Sequence, residues 1–170
     1  LDEDQVADTL SGLSFAGETR LRLTVDQGGG IGLSHAPLPP NPPFWHVVLS
    51  PVKLDRDDPW LRIKTTHRPA YDAARAALPD GADEAILTNQ RGELCEGTIT
   101  TLFLDQGGQL LTPAQNCGLL PGVLRADLLQ KGRAVEAVLT PEDLRRGALF
   151  MGNALRGLIP ARLISPQDPA

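Results

Sequence analysis

Five prolines fall within nine residues, between His35 and Pro43: Pro37, Pro39, Pro40, Pro42 and Pro43. Proline has no amide hydrogen and a fixed φ, so this stretch can enter neither a helix interior nor a central strand. It reads as an extended linker. It divides the 170-residue chain into an N-terminal remainder over 1–43 and a larger domain over 44–170. That length suits one compact domain or two small lobes.

Composition narrows the partners. Hydrophobic residues make up 41% of the chain, enough for a core, and charged residues 22%. The net charge of −5 has no basic patch to offset it, which argues against nucleic acid and anionic membrane. The longest cationic stretch, Arg56 to Arg75, is broken by Asp57, Asp58 and Asp72. No apolar run approaches the roughly 20 residues needed to span a bilayer, and the first residues are acidic, unlike a signal peptide. Cys95 and Cys117 lack metal spacing. They read as reduced thiols of a cytoplasmic protein, with a disulfide as the alternative. The chain starts at Leu1, and Asp2 to Ser11 reads as the tail of an amphipathic helix, with Val6, Leu10 and Leu13 on one face. The expectation is that a segment upstream is missing.

Further along, Glu18 to Asp26 alternates as a half-buried strand, and Gln27 to Gly30 turns into a return strand from Ile31. The glycine run lacks a phosphate-loop pattern and no helix follows it. Strands are predicted at Trp45–Ser50, Trp60–Lys64, Glu84–Thr88, Thr98–Leu104, Leu110–Thr112, Ala134–Leu139, Ala148–Met151 and Leu158–Ile164. Helices are predicted at Ala70–Leu78, with Pro69 in the first turn, and from about Gly122 to Gln130. Thr140-Pro141-Glu142-Asp143 caps a short helix. Many strands with a few inserted helices favour an α+β or closed barrel-like fold over a doubly wound one.

Four segments could carry chemistry. Lys64 lies in Leu61-Arg62-Ile63-Lys64-Thr65-Thr66-His67-Arg68, where neighbouring cations favour a neutral, nucleophilic amine; it also reads as an exposed strand lysine. Glu96 follows 32 residues later, in Glu96-Gly97-Thr98-Ile99-Thr100, as a carboxylate partner for a cationic nitrogen or as a turn residue. Gly118 to Arg125 feeds a helix N-terminus whose free N–H groups suit a phosphate, or is an ordinary loop–helix junction. Gly152-Asn153-Ala154-Leu155-Arg156-Gly157 permits close approach of a ligand, or is a tight turn with Asn153 in a left-handed conformation. His35, His46 and His67 do not form a metal spacing and read as structural or solvated.

Taken in this order, the four segments resemble the class IV aminotransferases, the fold-type IV pyridoxal-phosphate (PLP) enzymes. The likeness covers about Trp45 to Ala161, and more weakly Glu18 to Ala36. It implies an incomplete N-terminal α/β lobe and a larger C-terminal pseudo-barrel. It implies PLP as cofactor, with Lys64 as the catalytic lysine that bonds the cofactor aldehyde and Glu96 as partner of its ring nitrogen. By the same resemblance, Val123 and Leu124 would offer backbone amides to the phosphate, and Asn153 and Ala154 further contacts. The family also implies a homodimer acting on a small-molecule substrate. Its phosphate-binding arginine would lie upstream of anything matching Leu1.

Within the family, Arg68 four residues after Lys64, and the Asn153 loop with Pro160 beyond it, are similar to 4-amino-4-deoxychorismate lyase. That enzyme releases pyruvate to give 4-aminobenzoate, a folate precursor. Arg68 and Arg156 are the candidate substrate-binding residues. Branched-chain enzymes carry a Gly-Asn-Tyr after the lysine, absent here. The family often has an asparagine after the glutamate, where this chain reads Thr100-Thr101-Leu102-Phe103. The alternatives are an aminotransferase for branched-chain or D-amino acids, and a non-catalytic PLP-fold protein that binds a small molecule or only dimerises.

Overall fold

Asp2 opens the first helix: its Oδ1 accepts from the N–H groups of Asp4 and Gln5 at 3.1 and 3.2 Å, capping α1 (Glu3–Ser11). The computed structural model describes residues 2–165, and the chain separates into two units at Pro40–Asn41. The first unit holds α1 and the antiparallel hairpin β1 (Thr19–Val25) and β2 (Ile31–Pro37). Asp26 Oδ1 binds the amides of Gly28 and Gly30, both at 2.8 Å, so the glycine run is a hairpin turn. Strand β2 persists to Pro37, further than the linker reading placed it; Leu38 N–H still bonds Glu18 O at 2.9 Å.

The second unit is built on one eight-stranded sheet. Its strands are β3 (Trp45–Leu54), β4 (Glu84–Asn89), β5 (Leu94–Gly97), β6 (Thr101–Gln106), β7 (Gln109–Pro113), β8 (Ala134–Ala137), β9 (Ala148–Asn153) and β10 (Gly157–Leu163). They lie in the order β5-β4-β3-β10-β9-β6-β7-β8, with β3 parallel to both its neighbours. The sheet curls until its two edges meet. Leu139, just beyond β8, accepts from Leu94 N–H of β5 at 2.7 Å. This is the α+β pseudo-barrel expected from the strand pattern.

Alternation sorts the side chains. Trp45, Val47, Ile86, Leu94, Leu102, Leu149, Met151 and Ile159 fill the barrel interior. Outside it, α2 (Pro69–Ala76) sits over Leu54, Leu87, Cys95 and Leu119, and its small Ala74 is buried there. Helix α3 (Val123–Gln130) packs Leu124 and Leu128 against Phe103, Phe150 and Leu158.

Three sequence expectations are corrected. Strand β3 runs past Ser50 to Leu54 because a register shift between Leu49 and Lys53 absorbs Pro51, and Ser50 Oγ takes the Val52 N–H at 3.1 Å. Trp60–Lys64 is not a strand. Asp58 caps Trp60 N–H at 2.9 Å and Pro59 starts a 3-10 turn over Pro59–Arg62. Thr98 to Thr100 leaves the sheet despite its β-branched residues, and the short β5 precedes it.

Gly152 in β9 has no room for a side chain. A Cβ there would lie 2.6 Å from Gly157 O and 2.8 Å from Leu124 Cδ2 of α3. Gly152→Ala should destabilise the fold by about 1–3 kcal/mol through overpacking, read as a lower urea midpoint at unchanged m-value.

Candidate active site

The loop between the Pro59–Arg62 turn and α2 carries Lys64, and the side chain is exposed. The loop is short and internally braced. The Trp60 and His67 rings pack at a 56° tilt with centroids 4.9 Å apart, and His67 N–H bonds Thr65 Oγ1 at 3.1 Å. Pro69 then begins α2, whose Tyr71 and Arg75 point back toward the sheet.

Glu96 sits at the end of β5 and is 5% exposed. Its Oε1 accepts from Tyr71 Oη–H at 2.5 Å and from Leu120 N–H at 2.9 Å. Among the described residues nothing donates to Oε2. Burial pushes the Glu96 carboxyl up to about 7, against the pull of the Tyr71 and Leu120 hydrogen bonds and of the positive charges of Lys64 and Arg68. So Lys64 and Arg68, distant from Glu96 in sequence, share its electrostatic field. Burial, reinforced by the adjoining Glu96 carboxylate, raises the Tyr71 phenol well above its usual range, so it remains a hydrogen-bond donor. Arg68 is fixed by its guanidinium: Nη2 to Thr98 O at 2.6 Å, Nε to Asp72 at 3.0 Å, and the charge 5.0 Å from the Tyr71 ring centre.

The β5–β6 loop, Gly97 to Thr100, links these residues to the others. Ile99 O accepts from Asn153 Nδ2 at 3.2 Å. Thr101 pairs with Gly152, and a Cβ on Gly122 would lie 3.4 Å from Thr101 Oγ1. The start of α3 thus lies beside the ends of β6 and β9. Gly122 leads into α3 without a side-chain cap, so the first-turn amides of Val123 and Leu124 are open to an acceptor. Asn153 Oδ1 accepts from Leu155 and Arg156 N–H at 3.1 and 3.0 Å, so it organises its turn by side-chain bonds. The left-handed residue there is Gly157, at φ 68°, rather than Asn153. Ala154 is exposed in the turn. The Arg156 guanidinium bonds Asn41 Oδ1 at 2.9 Å.

Sequence reasoning missed Tyr71 and Glu84. Tyr71 had a legible signal, one tyrosine on the first turn of a helix that follows Lys64. Glu84 had none, since it reads as an ordinary charged residue at the start of a strand.

These groups fit PLP. A buried carboxylate with one oxygen engaged and the other open suits a ring N–H. Unpaired amides at a helix start suit a phosphate. An exposed lysine amine in the same field suits an aldehyde.

The amino-transferase class IV family model matches residues 3–164. The chain belongs to this family. A solved structure from Mesorhizobium loti, assigned as an amino-acid aminotransferase, is 46% identical, with TM-score 0.86 over 95% of this chain and 80% of that one. A Schizosaccharomyces pombe protein assigned as an aminodeoxychorismate lyase is 24% identical over 99% of this chain and 75% of its own length. A Thermotoga maritima protein assigned as a branched-chain-amino-acid aminotransferase is 28% identical over 61% of this chain. The match spans only 40% of that relative's length. The pseudo-barrel is the fold-type IV architecture. Among the described residues no helix of this class IV family member is long and apolar enough to cross a membrane.

The Glu96 environment predicts a pH dependence. The folded state holds the carboxyl proton more tightly than the unfolded chain does. The stability this contributes is full below the ordinary value of 4.5 and is lost as pH rises through about 7. In that window the loss approaches ~1.4 kcal/mol per pH unit. Urea unfolding of cofactor-free protein should show this slope, and Glu96→Gln should flatten it. Tyr71→Phe removes a bond to the ionised form, so the carboxyl should titrate at still higher pH in carboxyl-resolved NMR.

Proposed function

We propose that the protein is a PLP-dependent lyase that cleaves 4-amino-4-deoxychorismate to pyruvate and 4-aminobenzoate. The observation that carries the PLP reading is Glu96: buried, braced on Oε1 by Tyr71 and Leu120, open on Oε2, and electrostatically coupled to Lys64. When bound, the cofactor supplies an electron sink for the substrate carbon that bears the amine. Lys64 would hold the cofactor's aldehyde and, when freed, would act as general base for the proton on the substrate carbon that bears the amine. Glu96 keeps the ring nitrogen protonated. The Val123 and Leu124 amides would hold the phosphate, and Asn153 and Ala154 would supply further contacts to it. Arg68, already oriented by Thr98 O and Asp72, offers its remaining N–H groups to a substrate carboxylate. Arg156 is the second candidate for that task.

The lyase reading is supported by Arg68, by the Asn153 turn and by the likeness to the S. pombe protein over 99% of this chain and 75% of that one. A second reading, an aminotransferase, is favoured by the 46% identity to the M. loti structure. For that reaction Lys64 would also return the proton, and the amino group would pass to a 2-oxo acid. Both readings carry a homodimer by family membership.

Full-length protein should be yellow, and borohydride should fix PLP to Lys64, seen as a modified Lys64 peptide by mass spectrometry. Lys64→Ala should abolish fixation. Pyruvate release without any oxo-acid acceptor is expected of the lyase. Amino transfer that requires a 2-oxo acid, with no pyruvate released from aminodeoxychorismate, would select the aminotransferase. A colourless protein that gains no absorbance with PLP would sink both.

A further inference from the structure

Glu84 opens β4 with its side chain fully buried, yet none of the roles above uses it. A carboxylate taken out of water is tolerated only when its oxygens are satisfied. Oε1 accepts from Thr98 N–H at 3.0 Å, from Thr98 Oγ1–H, from Ala85 N–H at 3.0 Å and from Arg75 Nη1 at 3.3 Å. Oε2 accepts from Ile99 N–H at 3.1 Å and Thr100 Oγ1–H at 2.9 Å. Four of these six donors belong to the loop between β5 and β6. Gly97 leaves room for this: a Cβ there would lie 2.9 Å from Glu84 Oε2 and 2.5 Å from Thr100 Oγ1.

That loop reaches the proposed cofactor site in three directions. It continues directly from Glu96. Its Thr98 O holds Arg68, and its Ile99 O holds the Asn153 amide. We propose that Glu84 is a positioning residue for the cofactor site: it folds the 97–100 loop onto itself and thereby sets Glu96, Arg68 and Asn153 in register. The proposal rests on the PLP reading. The bonds from Glu84 serve the loop in place of ladder pairing. Ile86 pairs with Gly97, and the sheet registers skip Thr98 to Thr100 until Thr101 pairs with Gly152.

The test uses full-length protein stripped of cofactor and titrated with PLP, well below the unfolding midpoint of every variant. Affinity is read by visible absorbance and ring immobilisation by visible circular dichroism per bound PLP. Glu84→Gln keeps the volume but presents an NH2 group to backbone donors. It should weaken PLP binding roughly tenfold, the scale expected for losing one or two such bonds, and lower the dichroism per bound cofactor. Thr100→Val removes one loop bond and leaves the carboxylate. It should weaken binding about threefold on the same scale, and should add nothing in the Glu84→Gln background, since both act through one loop. Wild-type affinity and dichroism in a folded Glu84→Gln protein with a lowered melting temperature would reduce Glu84 to a packing role and overturn the proposal. If Glu84→Gln does not fold, Thr100→Val decides: unchanged affinity overturns the proposal, and a loss supports it. Wild-type protein that takes up no PLP defeats the proposed function and this inference together; equal binding by wild type and variants defeats this inference alone.

Discussion

A single buried charge governs how the chain turns at the site. The Glu84 carboxylate has no access to water and must be satisfied by protein donors, and the nearest supply is the backbone and hydroxyls of Thr98, Ile99 and Thr100. Once those donors are committed, the chain cannot continue as sheet from β5 into β6. It folds into a loop closed by Gly97 N–H to Thr100 O at 2.8 Å. The positions of Glu96 before the loop and of Thr101 after it follow from that. Because Thr101 pairs with Gly152, so does the placing of the Asn153 turn.

Glu96, twelve residues further along the chain, shows how differently a second buried carboxylate can be treated. Glu84 is surrounded by donors on both oxygens. Glu96 is as deeply placed but has donors on one oxygen only, and burial outweighs them, so its proton is held up to about 7. Its carboxyl is thus poised near neutrality, within the field of the Lys64 amine and the Arg68 guanidinium. Tyr71 ties this chemistry to α2, the same helix whose Arg75 completes the shell of Glu84. One short helix therefore braces both acids.

Small residues complete the arrangement. Gly97, Gly122 and Gly152 bring the β5–β6 loop, α3 and β9 closer than any side chain would allow at Gly97 and Gly152. The open amides of α3 come to lie beside the strand ends through this close packing.

Much of this was legible in the residues. Apolar alternation marked the major strands, Pro69 marked the start of α2, and Gln27 with three glycines marked the hairpin. The order of Lys64, Glu96, Val123-Leu124 and Asn153 pointed to the family. Local pattern failed where side chains from elsewhere in the chain replaced backbone pairing. Thr98-Ile99-Thr100 has strand-forming residues, but Glu84 captures their donors. Trp60–Lys64 looks extended, but Asp58 and Pro59 wind it into a turn. Tyr71 could have been suspected from its helix, whereas its bond to Glu96 depends on α2 packing on the sheet at β3 and β4. The sequence by itself determined which elements form and which chemical groups are available, because periodicity and turn chemistry are local. Only the tertiary structure decided which buried acid is satisfied and which is left half-open, because the donors that distinguish Glu84 from Glu96 arrive from distant segments of the chain.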